Sequence, residues 1–244
     1  MSEDWKSRLY QFYVSSGQSG VKDTSSVESV YSRSGPIFRH TIQNHLGSDR
    51  QLKIVDLGCG HGGLLYYLKR AGFRNIEGVD ASGEQIALAH RCGIHEAKLQ
   101  PLDSFLTEAA SSSYDVAILF DVLEHLTPAQ VFSTLDGVLR ILRSGGRCIL
   151  HVPNAEGIHG MRSRYDDFTH ELSFTPLTLR QITSTVGFSG VQCFEEKPII
   201  HGLASGLRRL IWDVGTLPHR LLLMAESSEI RLVLSNNMTA VVRK

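Results

Sequence analysis

The fold is decided by residues 53–68, which read KIVDLGCGHGGLLYYL. The first residues are mostly apolar and β-branched, as in a buried parallel strand, and leucines return at helical spacing after the glycines. Glycines carry no Cβ, so a ligand can lie against main-chain amides at the positive end of the following helix. The stretch therefore predicts a strand, a tight turn and a helix, with a nucleotide-like ligand at the turn.

The residues around these glycines match two classes of ligand-binding turn. From Gly58 onward the order G-x-G-x-x-G satisfies the dinucleotide fingerprint, and Asp80 ends the next predicted strand, where a ribose-binding acid would fall. Asp56, however, lies inside the first strand, at a position that the dinucleotide pattern usually fills with an apolar residue. Starting at Asp56, the order D-x-G-x-G-x-G resembles motif I of class I S-adenosylmethionine (SAM)-dependent methyltransferases.

The resemblance to this family covers roughly residues 50–190. An almost wholly apolar run at 114–120, typical of a central strand buried on both faces, leads into Asp121 at the expected ligand-binding edge. The order LRILRSGG at 139–146, before a hydrophobic strand, is similar to a recognisable feature of class I methyltransferases. Residues 238–243 are typical of a closing strand, which simple Rossmann domains lack.

The resemblance implies a three-layer, Rossmann-like α/β fold with a seven-stranded, mostly parallel sheet and an antiparallel last strand. Residues 1–50 would form an N-terminal helical lid, and residues 51–244 the SAM-binding domain. Within that domain we expect an acceptor-side loop at 154–175 and an amphipathic C-terminal helix at 201–224. The apolar face of this helix is expected to pack on the core or the lid; contact with a membrane surface or a second subunit are the alternatives.

The resemblance also assigns residues to the cofactor, SAM. Asp80 would accept hydrogen bonds from both ribose hydroxyls, although an acid here could instead cap the following helix, for which Ser82 and Gln85 already predict a capping box. Asp103 would meet the adenine amine, although the helix dipole also favours an acid at a helix start. The predicted cofactor-binding residues are Asp56, Gly58, Cys59, Gly60, Asp80, Ala81, Asp103, Ser104 and Asp121.

The polar stretch at 156–173 is too long for a plain connector. Its centre, DFTHE at 167–171, resembles a loop in methyltransferases of polysaccharide and surface-glycan biosynthesis; related quinone and small-molecule methyltransferases also place a histidine there. A sugar hydroxyl needs a general base, and His170 is our candidate because an imidazole titrates near neutrality. His151 and His159 are the alternatives. Glu171, Asp166 or Asp167 would orient it, so the predicted catalytic residues are His170 and Glu171.

Two further histidine–acid combinations allow a metal site but do not require one. Asp166, Asp167 and His170 could hold a divalent cation, yet nothing in their spacing demands it, and no metal is predicted. Glu124 and His125, just past the predicted central strand, allow a metal or catalytic interpretation as well. We prefer the interpretation in which this pair stabilises the loop or borders the pocket.

Composition limits the partners and the compartment. Lysine plus arginine and aspartate plus glutamate number 25 each, so no whole-chain field attracts nucleic acid. The four cysteines are far apart and show no metal-ligand spacing, as expected of reduced thiols. The N-terminus lacks the order of a signal peptide and no apolar run is long enough for a membrane span, which predicts a cytoplasmic protein. Peripheral membrane contact and a homodimer stay open.

These observations predict a SAM-dependent methyltransferase that methylates a hydroxyl of a sugar or glycan-related acceptor. One alternative is a methyltransferase for a quinone-like or other small acceptor. Two others belong to different classes: an NAD-dependent oxidoreductase and a SAM-binding protein without catalysis.

Overall fold

A seven-stranded sheet forms the centre of the protein, in the order β3-β2-β1-β4-β5-β7-β6. The computed structural model describes residues 5–17, 20, 21, 24, 26–228 and 232–244. The strands are β1 (Ile54–Leu57), β2 (Ile76–Asp80), β3 (Ala97–Leu99), β4 (Tyr114–Phe120), β5 (Leu142–Pro153), β6 (Gly190–Glu195) and β7 (Asn237–Arg243). Only β7 runs antiparallel to its neighbours among these strands. The predicted sheet is therefore confirmed.

Helices cover both faces of the sheet and make the outer layers. They are α1 (Trp5–Gln11), α2 (Val27–Ser32), α3 (Gly35–His45), α4 (Gly63–Arg70), α5 (Gly83–Arg91), α6 (Leu102–Glu108), α7 (Pro128–Ile141), α8 (Gly160–Tyr165), α9 (Pro176–Val186), α10 (Leu203–Gly215) and α11 (Leu217–Ser227). One hydrophobic cluster packs α6, α7 and α9 against one face of the sheet. A second cluster packs α2, α3, α4 and α5 against the other face.

The two central strands, β1 and β4, decide where a ligand can bind. The chain leaves β1 towards β2 on one side and later enters β4 on the other side of β1. The loops that follow β1 and β4 therefore diverge, and in doubly wound sheets the crevice between them is where ligands bind. Both strands are almost wholly buried, as their apolar sequences predict, because helices cover both faces.

Local signals in the sequence set several helix ends. Thr127 and Gln130 form a reciprocal capping box at the start of α7, where Pro128 occupies the first turn. Thr175 caps α9 in the same way, and Gly187 ends that helix with a left-handed φ of 111°. These signals depend on a few adjacent residues, so they could be read from the sequence.

The C-terminal helix expected at 201–224 is two helices, α10 and α11. Pro218 lies in the first turn of α11, and proline has no N–H to continue the bonding of a preceding helix, so the chain breaks at Thr216. The expected packing of the apolar face on the core or the lid is also wrong. The face is exposed, and Leu203 alone keeps 97% of its surface in contact with solvent.

The exposed apolar face of α10 and α11 is extensive. Its residues are Leu203, Leu207, Leu210, Ile211, Val214, Leu217, Leu221, Leu222 and Met224. Among the described residues, none of the helices combines the length and the hydropathy that crossing a bilayer requires. Peripheral membrane contact and a homodimer, the two alternatives left open for this face, stay predictions.

Candidate active site

The glycine turn after β1 adopts a backbone that only glycine tolerates well. Gly58, Gly60 and Gly62 have φ values of 81°, 54° and 80°. A Cβ on Gly58 would lie 2.5 Å from a methyl of Val122, in the loop that follows β4. Glycine is therefore needed here both for the left-handed conformation and for the close approach of the two loops.

The amides of this turn do not face a ligand, and the expectation that they would do so is wrong for three of them. Gly58 and Cys59 both donate to the carbonyl of Val79, over 2.8 and 2.9 Å. Gly60 donates to Oδ2 of Asp80 over 2.9 Å. These bonds tie the turn to the end of β2, so its contribution to binding is space and a fixed backbone shape.

Asp80 ends β2 and accepts hydrogen bonds from the glycine turn and from the start of the next helix. Besides the Gly60 amide it accepts the amide of Ser82 at Oδ1, over 2.8 Å. Burial raises the pKa of this carboxyl, while the two amides act to lower it. Each carboxylate oxygen has a second acceptor position, so the capping contact to Ser82 and a contact to ribose can be made by the same side chain.

The capping box expected at the start of α5 is only half formed. The Ser82 hydroxyl accepts from the amide of Gln85, as predicted. The side chain of Gln85 does not return to Ser82 and instead pairs its Oε1 with Nδ1 of His61, 3.1 Å away. Gln85 thereby holds His61, the residue in the middle of the glycine turn.

Asp56 is a buried carboxyl, one oxygen of which has no hydrogen-bond partner among the described residues. The residue is 1% exposed, and the oxygen in question is Oδ1. Burial, and secondarily the charge of Asp80, raises the pKa of Asp56 to about 8. A buried acid that lacks a hydrogen bond is costly, so this site favours a ligand that brings a positive charge.

A cavity of about 440 Å³ lies over the glycine turn, and we call it the cofactor cavity. The ends of β1 and β2 line its floor, and the loop after β4 lines one side. Most of the predicted cofactor residues line it, namely Asp56, Gly58, Cys59, Gly60, Asp80, Ala81 and Asp121. Asp103 and Ser104 do not: Asp103 is exposed in the first turn of α6, where its Oδ1 accepts the Ser104 amide over 2.8 Å. Its contact with adenine stays a prediction.

A second cavity, of about 550 Å³, adjoins the first, and we call it the acceptor cavity. It extends to the loop predicted at 154–175, which supplies Ser163, Asp166, Asp167 and His170. The two cavities share a wall made of Tyr13, Ser34, His61, Asp121 and His125. A group bound in one cavity can therefore meet a group bound in the other.

Comparison with known proteins decides the family. Residues 34–193 match the family model described as a methyltransferase domain. The chain belongs to the methyltransferase-domain family. The ubiquinone biosynthesis O-methyltransferase of Rickettsia canadensis is 34% identical to it over 96 residues, 37% of this chain and 39% of the relative. The chain thus spans about two fifths of the length of that curated relative.

Solved structures share the fold of this methyltransferase. A SAM-dependent methyltransferase from Archaeoglobus fulgidus superposes with a TM-score of 0.67 at 20% identity, over 96% of this chain and 99% of the other. The 1,6-didemethyltoxoflavin-N1-methyltransferase of Burkholderia thailandensis, with S-adenosylhomocysteine bound, superposes with a TM-score of 0.59 at 19% identity. The match covers 98% of this chain and 88% of the other. The family match sets aside the alternative of an NAD-dependent oxidoreductase.

The residues of the cofactor cavity fit SAM. The Asp56 carboxyl, whose Oδ1 has no partner among the described residues, offers a counter-charge for a cationic ligand once it ionises, and SAM carries both a sulfonium and an ammonium. Asp80 offers the free acceptor positions that a ribose needs. Binding of SAM in this cavity, with its reactive end towards the shared wall, stays a prediction.

The described part of the N-terminal segment lies across the cofactor cavity of the methyltransferase. Tyr10 and Tyr13 line the cavity, and the carbonyl of Tyr10 accepts the Ser82 hydroxyl over 3.2 Å. Glu84, at the start of α5, accepts the amides of Val14 and Ser15 over 2.9 and 3.2 Å. These contacts join the predicted lid to the residues that follow β2, and its opening and closing stays a prediction.

Replacing Glu84 by alanine is expected to speed the release of SAM several-fold, because it frees the turn at 14–15 from α5. Stopped-flow release of SAM would measure this, with Glu226→Ala, an exposed acid on α11, as the matched control. A release rate equal to that of the unaltered protein would mean that the segment does not retain the cofactor.

The acceptor-side loop orients His170, but not through a carboxylate. Nδ1 of His170 lies 2.9 Å from the carbonyl oxygen of Ser163, which can only accept, so this nitrogen carries the proton. Glu171 instead forms an ion pair with Lys6 in α1 and lines neither cavity. The prediction that Glu171 acts beside His170 is therefore wrong, because the loop turns the two side chains in different directions.

Glu124 and His125 approach His170 from the end of β4. Both line the acceptor cavity, and the carbonyl of Glu124 accepts the amides of Glu171 and Leu172, as expected of a pair that stabilises the loop or borders the pocket. The rings of His125 and His170 lie 4.7 Å apart, edge to face. The sequence did not predict that His170 lies beside His125, because the two residues are far apart in the chain and meet only when the loop folds.

A buried histidine, His151 on β5, holds Asp121 at the shared wall. Its Nδ1 contacts Asp121, and its Nε2 lies 2.9 Å from Glu196. Burial acts to lower the pKa of His151, but the two carboxylates outweigh burial and hold it well above its usual value. Both ring nitrogens are engaged, so His151 positions Asp121 and is not free to act as a base.

Proposed function

We propose that this methyltransferase transfers the methyl group of SAM to a hydroxyl of a small phenolic, quinol-like acceptor. The observation that carries the proposal is the polar cluster of His125, His170 and Glu124 in the acceptor cavity, beside the wall shared with the cofactor cavity. A hydroxyl group placed there meets nitrogen and oxygen atoms that can take part in removing its proton.

The names of the curated relatives favour this acceptor class. Proteins named ubiquinone biosynthesis O-methyltransferase match this chain over 37–43% of its length. They support the quinone-like alternative over the glycan acceptor predicted from the sequence. The pKa of a phenol, near that of tyrosine at about 10, is also easier to reach than that of a sugar hydroxyl.

The protein has limited chemistry to supply, because bound SAM provides a methyl carbon already activated by its sulfonium. Asp80 and Asp56 hold the cofactor, Asp121 is fixed at the shared wall, and the N-terminal segment excludes water. Alignment of donor and acceptor in adjoining cavities removes much of the entropic barrier. The remaining requirement is to accept the proton of the acceptor hydroxyl.

Transfer of labelled methyl from SAM to a panel of acceptors tests the proposal. We expect incorporation into small ortho-diphenols and not into nucleotide sugars or primary amines. Transfer to nucleotide sugars alone would restore the glycan interpretation and overturn the phenolic one.

His170→Ala is expected to lower turnover of the preferred acceptor by about 10²-fold while SAM affinity is retained, because the side chain lies only in the acceptor cavity. His219→Ala, an exposed histidine on α11, is the matched control. Equal turnover in both variants would remove His170 from the mechanism.

A further inference from the structure

The two C-terminal helices, α10 and α11, present an apolar face to solvent, which we call the leucine face. In α10 its residues recur at helical spacing, and they are Leu203, Leu207, Leu210, Ile211 and Val214. In α11 they are Leu217, Leu221, Leu222 and Met224. Each of these side chains keeps at least 41% of its surface in contact with solvent.

The leucine face is larger than the apolar patches that a monomer usually exposes. A side chain of this kind presents on the order of 100 Å² when exposed, so the whole face presents roughly 900 Å². The largest apolar patch of a typical monomer covers about 300–600 Å². A stable protein–protein interface takes about 800 Å² from each partner. The leucine face by itself therefore offers the area that a stable dimer needs.

Ion pairs hold the two helices with the leucine face outward. Asp213, on α10, pairs with Lys197 just after β6, over 3.0 Å. Arg220, on α11, pairs with both carboxylate oxygens of Glu195 at the end of β6, over 2.6 and 2.7 Å. On an ordinary surface helix the charged side chains face water and the leucines face the core. Here the charged side chains tie the helices to the sheet and the leucines are exposed, so the outer face favours an apolar partner.

The charges on these helices favour a second copy of the chain over a membrane. The charged residues of α10 and α11 are Arg208, Arg209, Asp213, Arg220 and Glu226. Carboxylates pair with Arg209 and Arg220, and of these five residues Arg208 and Glu226 have no ion pair with another described residue. A helix that lies on a membrane surface has a polar face rich in lysine and arginine. The leucine face instead has one unpaired cation and one unpaired anion beside it.

This balance of charge suits an interface between identical surfaces. In a two-fold dimer the same surface of each copy meets the other, so an excess of either charge would cause repulsion. One cation and one anion cause no net repulsion. Apolar area and balanced charge therefore favour the same occupant.

We propose that the leucine face is the interface of a homodimer, in which α10 and α11 of one copy pack against the same helices of a second copy. A closed two-fold arrangement covers both leucine faces at once, so neither is left open to further chains. The residues that line the cofactor and acceptor cavities come from outside α10 and α11, so both cavities stay accessible in the dimer. The inference is therefore independent of the proposed function.

Sedimentation velocity of the full chain over a range of concentrations tests the interface. We expect a species of twice the chain mass of 27.1 kDa. The double variant Leu207→Glu/Ile211→Glu should raise the dissociation constant by about 100-fold or more, because two carboxylates would be buried against an apolar surface. Both side chains are exposed in the single chain, so their replacement leaves its core intact. Leu177→Glu, on α9 and 66% exposed, is the matched control and should stay dimeric.

Calorimetry with SAM shows whether each variant is folded, since the replaced residues line neither cavity. Because the interface is apolar, high salt should leave the dimer intact, whereas binding to an anionic membrane weakens as salt rises. A monomer at every concentration would overturn the dimer, as would a folded Leu207→Glu/Ile211→Glu variant that remains dimeric. Flotation of a monomeric protein with phosphatidylglycerol vesicles, lost in the double variant, would overturn it in favour of a membrane-docking face.

Discussion

Asp80→Ala is expected to weaken SAM binding by about 5- to 150-fold, corresponding to roughly 1–3 kcal/mol. The substitution removes the acceptor for ribose and also leaves the amides of Gly60 and Ser82 without their partner, over the 2.9 and 2.8 Å contacts seen here. The loss therefore combines a missing ligand contact with a less well held glycine turn. Isothermal titration calorimetry with SAM measures it directly.

Glu77→Gln is the matched control for Asp80, since it changes an acid on the same strand. Glu77 lies away from the cavity and bonds to Tyr114 and Lys98. Its replacement should leave SAM affinity unchanged. An unchanged affinity in Asp80→Ala, or an equal loss in both variants, would falsify the assignment of Asp80 to the ribose.

The affinity for SAM is expected to rise with pH up to about pH 8 because of Asp56. Burial raises the pKa of this carboxyl to about 8, so below that pH it must lose a proton to meet a cationic ligand. The contribution of Asp56 to affinity should then grow about tenfold per pH unit between pH 6 and 8, and level off above. In Asp56→Asn this contribution is absent.

Calorimetry of both proteins with SAM from pH 6 to 9 checks the expectation. Dividing the affinity of the unaltered protein by that of Asp56→Asn removes the titration of the SAM amino group itself, which is common to both. A ratio that does not change with pH would show that Asp56 is not the counter-charge.

The raised pKa of Asp56 also affects the pH dependence of folding stability in the protein without SAM. The pKa of Asp56 in the folded state lies above its ordinary value of 3.8, so the folded state holds a proton that the unfolded chain releases. The stability that Asp56 contributes is therefore present below about pH 4 and is lost as the pH rises towards 8. Thermal unfolding of Asp56→Asn should show a smaller decrease over this range than the unaltered protein.

The sequence predicted the sheet because each strand depends on its own residues. The apolar run of β4 and the run ending at Asp80 gave both strands with their observed ends, Tyr114–Phe120 and Ile76–Asp80. The glycine turn was recognised for the same reason. The hydrogen-bond partners of the amides in the glycine turn could not be predicted from the turn itself, because Val79 and Asp80 belong to another strand.

The features that the sequence did not give depend on how distant segments meet. Glu171 faces Lys6, from the other end of the chain, and His170 meets His125 across the acceptor cavity. The periodic leucines of α10 and α11 predicted helix correctly, but periodicity only shows that one face is apolar. What covers that face is a separate question, and among the described residues it is left exposed.

A crystal structure with S-adenosylhomocysteine and a phenolic acceptor bound tests the central claim most directly. We expect the ribose hydroxyls to contact Asp80, the sulfur to face the shared wall, and the acceptor hydroxyl to lie beside His125 and His170. A nucleoside bound outside the cofactor cavity, or an acceptor hydroxyl turned away from that wall, would contradict it.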